Sequence, residues 1–215
     1  MGLIATLLIF EVTNLDRWVQ QHLYNPSTAS WLWDRHEPYA KAILYDGARI
    51  CLGIYGLGLI IALIKNWRQQ GDPDLRIGLF IALLTLVLLP TLVGALKSTT
   101  NLPCPRKLSD YGGTYTYVHL FESRPAMSER PQKCFPAGHA SGGFALLALP
   151  LLAKSRRRKI QLLVGALSVG WILGLYKMAI GEHFLSHTLV SMFLAWLVVY
   201  SLKAIADRFF TRTAY

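Results

Sequence analysis

Three histidines in this 215-residue sequence have a spacing that suits phosphoryl transfer. His183 and His187 are four positions apart, which would stack them on one face of a helix. Because the reference pKa of histidine is about 6.5, a neutral imidazole can attack phosphorus while a charged one donates a proton. We predict that His183 is the nucleophile, that His187 holds its ring in the required tautomer, and that His139 protonates the leaving oxygen.

Basic residues near these histidines predict that the bound group is an anion. Lys97, Lys177 and Arg106 lie in the same polar segments, and such a cluster attracts a multivalent anion. Gly138 begins the expected helix that carries His139, and free N–H groups at a helix start favour phosphate. We therefore assign phosphate binding to the two lysines, Arg106 and Gly138.

A zinc site is the alternative chemistry for the same segments. The three histidines, with Glu182 beside His183, could bind zinc in principle. The lysines argue against this site because they would repel a cation. We expect no metal and no other cofactor, so activity should survive EDTA.

Long apolar stretches must position these polar segments. Most have about the 17–25 residues that cross a hydrocarbon core as a helix, and the third is shorter. They are Ala48–Ile64, Ile77–Leu96, Ala140–Ala153, Ile160–Tyr176 and Ser186–Leu202. A buried helix of a soluble protein would explain one such stretch, but it does not explain five.

The N-terminal region allows two interpretations. Met1–Val12 is apolar but too short to cross alone, so it either extends through Leu15 and Val19 as a first crossing or forms an interfacial helix. Residues 13–46 mix aromatic and charged side chains, which suits a helix at the level of the lipid headgroups.

The sequence thus predicts an all-α fold, a polytopic transmembrane helical bundle. It has five or six spans, with six favoured, and an outer loop between the third and fourth spans. We expect one domain over residues 1–215, with an N-terminal part at 1–46 and a motif-bearing core at 77–202.

The formal charge of +10 is concentrated in short connectors, which marks the cytoplasmic side of a membrane protein. The three basic clusters are Lys154–Lys159; Lys65, Arg68 and Arg76; and Lys203, Arg208 and Arg212. All three fall on one side of an alternating topology, so the charge indicates orientation and contact with anionic lipids rather than nucleic acid. The polar segments then lie at the opposite, periplasmic side of an inner membrane.

These segments resemble the signature of the type 2 phosphatidic acid phosphatase (PAP2) superfamily of membrane lipid phosphatases. That signature is Lys-x6-Arg-Pro, Pro-Ser-Gly-His and Ser-Arg-x5-His-x3-Asp. Here the corresponding pieces are Lys97-x6-Cys104-Pro105, Pro136-Ala-Gly-His139 and Tyr176-Lys177-x5-His183-x3-His187. The resemblance covers roughly residues 77–202. It implies a phospho-histidine at His183, a general acid at His139, phosphate binding by Lys97 and Lys177, and no metal.

The sequence departs from that signature at four positions. Cys104 replaces an arginine, and the nearby Arg106 could supply its charge. Ala137 replaces a serine, and Lys177 keeps a positive charge but loses the bidentate fork of arginine. His187 replaces an aspartate, and a neutral imidazole stabilises an imidazolium less than a carboxylate does.

Two cysteines fall in the outer loop, where an oxidising periplasm would permit a disulfide. Pairing Cys104 with Cys134 would tie the first polar segment to the second. Two free thiols are the alternative. Cys51 lies within an apolar stretch and is expected to be buried.

The expected function is metal-independent dephosphorylation of a lipid in the bilayer, without a nucleic-acid partner. Candidate substrates are undecaprenyl pyrophosphate, phosphatidylglycerol phosphate, phosphatidic acid and lipid A. Two alternatives remain: transfer of the phosphoryl group to another lipid, and a non-catalytic lipid-binding or transport protein on the same scaffold. The sequence does not determine the oligomeric state.

Overall fold

The computed structural model describes residues 1–122 and 132–210, and most of them are helical. The α-helices are α1 Gly2–Val12, α2 Leu15–Gln21, α3 Pro38–Ala40, α4 Ala48–Arg68, α5 Pro73–Thr100, α6 Gly138–Phe144, α7 Arg156–Ala179 and α8 Leu185–Phe210. A π-helix, Lys41–Gly47, joins α3 to α4, and a 3-10 helix, Ala145–Leu152, continues α6. Short 3-10 turns occupy Pro105–Lys107 and Ser109–Tyr111. The predicted all-α membrane bundle is confirmed.

Among the described residues, four helices are long and apolar enough to cross a membrane: α4, α5, α7 and α8. Two shorter apolar helices are α1 and the combined segment Gly138–Leu152. Six crossings would require both of the shorter helices to span as well, so that number stays a prediction.

The N-terminal region differs from two of its predictions, while an interfacial location of Met1–Val12 stays a prediction. A first crossing that extends through Leu15 is wrong, because the backbone at Thr13 is extended and ends α1. The Thr13 hydroxyl donates to the Ile9 carbonyl at 2.7 Å and accepts from the Leu15 N–H at 3.4 Å. These local hydrogen bonds compete with a continuous helix.

A single interfacial helix over residues 13–46 is also wrong. Strands β1 (Tyr24–Asn25) and β2 (Ser30–Trp31) pair antiparallel within that segment. The turn between them is stabilised by Asn25, whose Oδ1 accepts from the Ser27 N–H at 3.0 Å. Polar turn residues of this kind favour a hairpin over a helix.

The starts of the long helices follow from their sequences. Asp72 accepts a hydrogen bond from the Asp74 N–H at 3.0 Å, and proline occupies the first turn of α5. Ser155 accepts from the Arg158 N–H at 3.3 Å at the start of α7. These N-caps satisfy backbone donors that have no partner within their helices.

The basic connectors meet at one end of the bundle. Lys154 Nζ lies 2.8 Å from Asp72 Oδ2, which joins the α4–α5 connector to the one before α7. A cavity at this end is lined by Asp72, Lys154 and also Lys203 of α8. The three clusters therefore share an end, although Arg212 lies outside the described residues.

Helix α6 occupies the centre of the bundle, where small residues allow close helix contacts. A Cβ at Gly143 would lie 2.8 Å from Gly170 Cα, so α6 and α7 approach nearly backbone to backbone. Phe144 is fully buried and its ring fills the space above Gly170. Such packing is typical of helix interfaces in membranes, and it fixes the position of His139 at the start of α6.

By contrast, α4 lies at the edge of the bundle. Few of its residues are buried, and Cys51 is exposed on its outer surface. The expectation that Cys51 is buried in the protein is wrong. A thiol is apolar enough to face hydrocarbon.

We expect Gly170→Ala to destabilise the bundle, because the added methyl would overlap the Phe144 ring. The loss in the free energy of unfolding should be about 1–3 kcal/mol. Gly165→Ala on the same helix is the matched control, since nothing lies within 4 Å of its added Cβ. Thermal unfolding in detergent measures the stability of both variants. An unfolding midpoint for Gly170→Ala at or above that of Gly165→Ala would contradict this packing.

Candidate active site

The predicted site residues come from different elements that meet at the end of the bundle opposite the basic connectors. Lys97 lies in the last turn of α5, His139 in the first turn of α6 and Lys177 in the last turn of α7. His183 lies in the α7–α8 connector, and His187 in the first turn of α8. The structure thus brings the three polar segments together.

His183 and His187 are in contact. Their Nδ1 atoms are 3.4 Å apart, and both side chains are buried. The prediction that both histidines lie on one face of a helix is wrong, because α8 begins at Leu185 and His183 precedes it. The connector turns back instead: Gly181 adopts a left-handed conformation, and the Glu182 N–H donates to the Lys177 carbonyl at 2.9 Å.

This contact sets the tautomers of the pair. One Nδ1 must carry a proton and the other must accept it. If His183 is the donor, its Nε2 carries the free lone pair that a nucleophile needs. Aromatic edges hold His187 in place, since the ring centroids of Phe135 and Phe184 lie 5.1 and 5.4 Å from its own.

The charge state of His183 follows from its surroundings. Burial lowers the pKa of its imidazole well below the ordinary value. The positive charges of Lys97 and Lys177 lower this pKa further, as does repulsion from His187 and His139 whenever those rings are protonated. His183 is therefore neutral at neutral pH, which is the form that can attack phosphorus.

His139 is covered by the π-helix, a contact that the sequence analysis missed. Its Nε2 lies 2.5 Å from the Leu44 carbonyl oxygen, and its ring stacks on Tyr45 with a centroid distance of 5.1 Å. The Tyr45 ring also contacts Lys177, whose Nζ lies 4.4 Å from the ring centroid. In the sequence, Tyr45 is only one of several aromatic residues in the 13–46 segment, and no motif marks it.

Lys97 lies against the start of α6. A Cβ at Gly138 would be 3.3 Å from Lys97 Cε and 3.4 Å from its Nζ, so glycine leaves space for the ammonium group. Within residues 1–122 and 132–210, no carboxylate lies within 4.0 Å of the Lys97 or Lys177 ammonium. Two unpaired cations therefore flank the histidine pair.

Arg106 differs from these lysines because it has an ionic partner. Its Nε lies 3.0 Å from Glu182 Oε1, and Arg35 approaches the same oxygen at 3.9 Å. Glu182 thus faces the guanidinium groups, and no hydrogen bond joins it to His183 in the described part. Phosphate binding by Arg106 stays a prediction, in which phosphate would compete with Glu182.

A disulfide joins Cys104 to Cys134, with a Cα–Cα distance of 5.2 Å. It links the segment after α5 to the segment before α6. Further bonds extend this link to α8, since the Ala137 N–H donates to the His187 carbonyl at 3.1 Å and the Ser191 hydroxyl donates to the Ala137 carbonyl at 2.9 Å.

A metal would find few ligands beside this disulfide. Cys134, His183 and His187 present atoms within 4.8 Å of one another. Because Cys134 is disulfide-bonded, it cannot supply the thiolate that zinc binds. His139 and Glu182, the other candidate ligands, are engaged by the Leu44 carbonyl and by Arg106, respectively.

Comparison with known proteins gives one result. The PAP2 superfamily model matches residues 78–210, a range that contains all three polar segments. Neither the curated proteins nor the solved structures contain a match to this chain. Because PAP2 proteins are phosphatases, the match supports phosphoester hydrolysis on lipid phosphates, and the apolar helices support a membrane location. By this match over more than half of its length, the chain belongs to the PAP2 superfamily.

Proposed function

We propose that this chain removes phosphate from a membrane lipid through a phospho-histidine at His183. The observation that carries the proposal is the buried contact between His183 and His187. Lys97 and Lys177 lie near His183, and neither has a carboxylate within 4.0 Å in the described part of the chain. A neutral nucleophile and a pair of free cations are what an incoming phosphate dianion requires.

In the first step, Nε2 of His183 forms a bond to phosphorus and the bond between phosphorus and the lipid oxygen breaks. The positive charge that develops on His183 is shared through Nδ1 with His187. Lys97 and Lys177 stabilise the phosphoryl oxygens. The Leu44 carbonyl accepts the proton on Nε2 of His139, so a second proton taken up at Nδ1 is the one that His139 gives to the leaving oxygen.

In the second step, water attacks the phosphorus and the bond between phosphorus and nitrogen breaks. His139 is now neutral and accepts the proton of the water, which returns the acid to its starting form. Inorganic phosphate leaves, and His183 is neutral again. The cycle needs no metal and no redox partner.

We further propose that the protein lies in an inner membrane with this site facing the periplasm. The basic connectors lie at the opposite end, which the positive-inside rule assigns to the cytoplasm. The Cys104–Cys134 disulfide suits an oxidising compartment. The lipid substrate would enter sideways from the outer leaflet.

His183→Gln should abolish phosphate release, because no other group in the proposed site replaces the nucleophile. We expect a loss of at least about a thousandfold in kcat. His22→Gln is the control, because His22 is an exposed histidine that contacts the Trp18 carbonyl. Release of inorganic phosphate from a panel of lipid phosphates measures the effect. More than a tenth of wild-type activity in His183→Gln would overturn the assignment.

His187→Phe should keep the aromatic packing and lose the Nδ1 acceptor. We expect kcat to fall about 100-fold with a small change in KM, because the nucleophile loses its orienting partner. His187→Asp should retain more activity than His187→Phe, since a carboxylate stabilises the imidazolium. Steady-state kinetics of both variants, compared with the wild type, measure these changes in kcat and KM. Equal activity in His187→Phe and wild type would remove His187 from the mechanism.

Removal of the disulfide should lower both stability and activity. Its sequence separation is 30 residues, and a crosslink of that span contributes about 3–4 kcal/mol on the chain-entropy estimate. We expect Cys104→Ser/Cys134→Ser to unfold at a lower temperature and to have a lower kcat, while Cys51→Ser behaves as wild type. Peptide mapping of the unreduced protein checks the bond directly, and two free thiols in active protein would contradict it.

A further inference from the structure

A cavity of about 450 Å³ shares Lys177 with the proposed reaction centre. This volume falls in the range of roughly 300–1,000 Å³ that is usual for small-ligand pockets. The N-terminal segment supplies one wall and the end of α7 with its connector supplies the other. The residues that line this cavity include Arg35, His36, Lys41, Tyr45, Lys177 and Glu182.

The charges in this cavity favour an anion. In the described part of the chain, Lys41 and Lys177 have no carboxylate within 4.0 Å. The carboxylate of Glu182 is neutralised first by Arg106 at 3.0 Å, and Arg35 is its looser partner at 3.9 Å. The guanidinium fork of Arg35 is therefore available to a stronger anion, and phosphate binds such a fork well.

Lys177 connects this cavity to the reaction centre. It lines the cavity, and its carbonyl accepts the His183 N–H at 3.3 Å. The Tyr45 ring lies between the Lys177 ammonium and the His139 ring. A group bound at Arg35 and Lys41 would thus be adjacent to the phosphate that His183 attacks.

We infer that Arg35 and Lys41 form a second anion subsite next to Lys177, which makes the preferred substrate a lipid diphosphate. This inference rests on the proposed function. His183 attacks the terminal phosphorus, and the bond from that phosphorus to the bridging oxygen breaks. The leaving group is the lipid monophosphate, whose charge Arg35 and Lys41 stabilise. The bridging oxygen takes the proton of His139.

The location of the subsite agrees with the path of the lipid chain. Tyr39 and Ile43 are exposed on the same segment, which continues directly into α4. The surface of α4 is mostly exposed and apolar. A lipid tail that leaves the inner phosphate can therefore run along α4 into the bilayer.

The test compares farnesyl diphosphate with farnesyl monophosphate as substrates of the full chain in neutral detergent. Arg35→Gln/Lys41→Gln should lower kcat/KM for the diphosphate about 30-fold and for the monophosphate less than about threefold. Lys65→Gln/Arg68→Gln, at the far end of α4, is the matched control and should change neither.

Two results would overturn the proposal of a second anion subsite. One is an equal loss for both substrates, which means that Arg35 and Lys41 serve the whole pocket. The other is a defect that occurs only when phosphatidylglycerol is added to the micelles, which means that they bind a neighbouring anionic lipid. A wild-type protein that hydrolyses only the monophosphate also contradicts the subsite but leaves the proposed function intact.

A binding measurement separates the subsite from catalysis. The wild type should bind a farnesyl methylene-diphosphonate, which cannot be hydrolysed, more tightly than it binds farnesyl phosphonate. Arg35→Gln/Lys41→Gln should remove that preference. If the preference is present but no lipid phosphate is hydrolysed, the proposed function fails and the subsite stands. Equal affinities in the wild type would overturn the subsite.

Discussion

The site depends on one contact, the pairing of His183 with His187 through their Nδ1 atoms. Two buried imidazoles can make this contact only while one Nδ1 carries a proton and the other is free to accept it. The left-handed Gly181 turns the connector back, and hydrogen bonds from Ala137 and Ser191 tie the second segment to α8. The disulfide then ties the first segment to the second.

A histidine in the orienting position changes the electrostatics of the site. A buried carboxylate would bring a negative charge close to the incoming phosphate, whereas a neutral imidazole brings none. Lys97 and Lys177 have no carboxylate within 4.0 Å in the described part, so they bring an excess of positive charge to the pocket. The arrival of an anion would relieve the repulsion between these cations and the charged form of His183. Binding of the phosphate and activation of His183 are thus coupled through the charges of the same lysines.

Much of this arrangement is predictable from the sequence, for identifiable reasons. The long apolar stretches determine the helices α4, α5, α7 and α8 because a hydrocarbon core requires about 20 apolar residues per crossing. The order and spacing of the three polar segments then bring Lys97, His139 and His183 to one end. The sequence also allowed the Cys104–Cys134 pair, although it could not choose between a disulfide and free thiols.

Other features were not predicted from the sequence, and two of them depend on contacts between distant residues. The hydrogen bond of His139 to Leu44 spans 95 positions, and no local pattern indicates it. Arg106 pairs with Glu182 because the α7–α8 connector folds back, whereas the spacing of His183 and His187 had predicted that both lie on one helix. The break at Thr13 and the β1–β2 hairpin follow from local polar hydrogen bonds that compete with the apolar and aromatic pattern around them.

The central claim is that His183 carries the phosphoryl group during turnover. Its most direct test is rapid quenching of the enzyme with a ³²P-labelled lipid phosphate, followed by mass mapping under alkaline conditions that preserve phospho-histidine. We expect acid-labile label on His183 alone. Label on another residue, or turnover without any labelled protein, would contradict it.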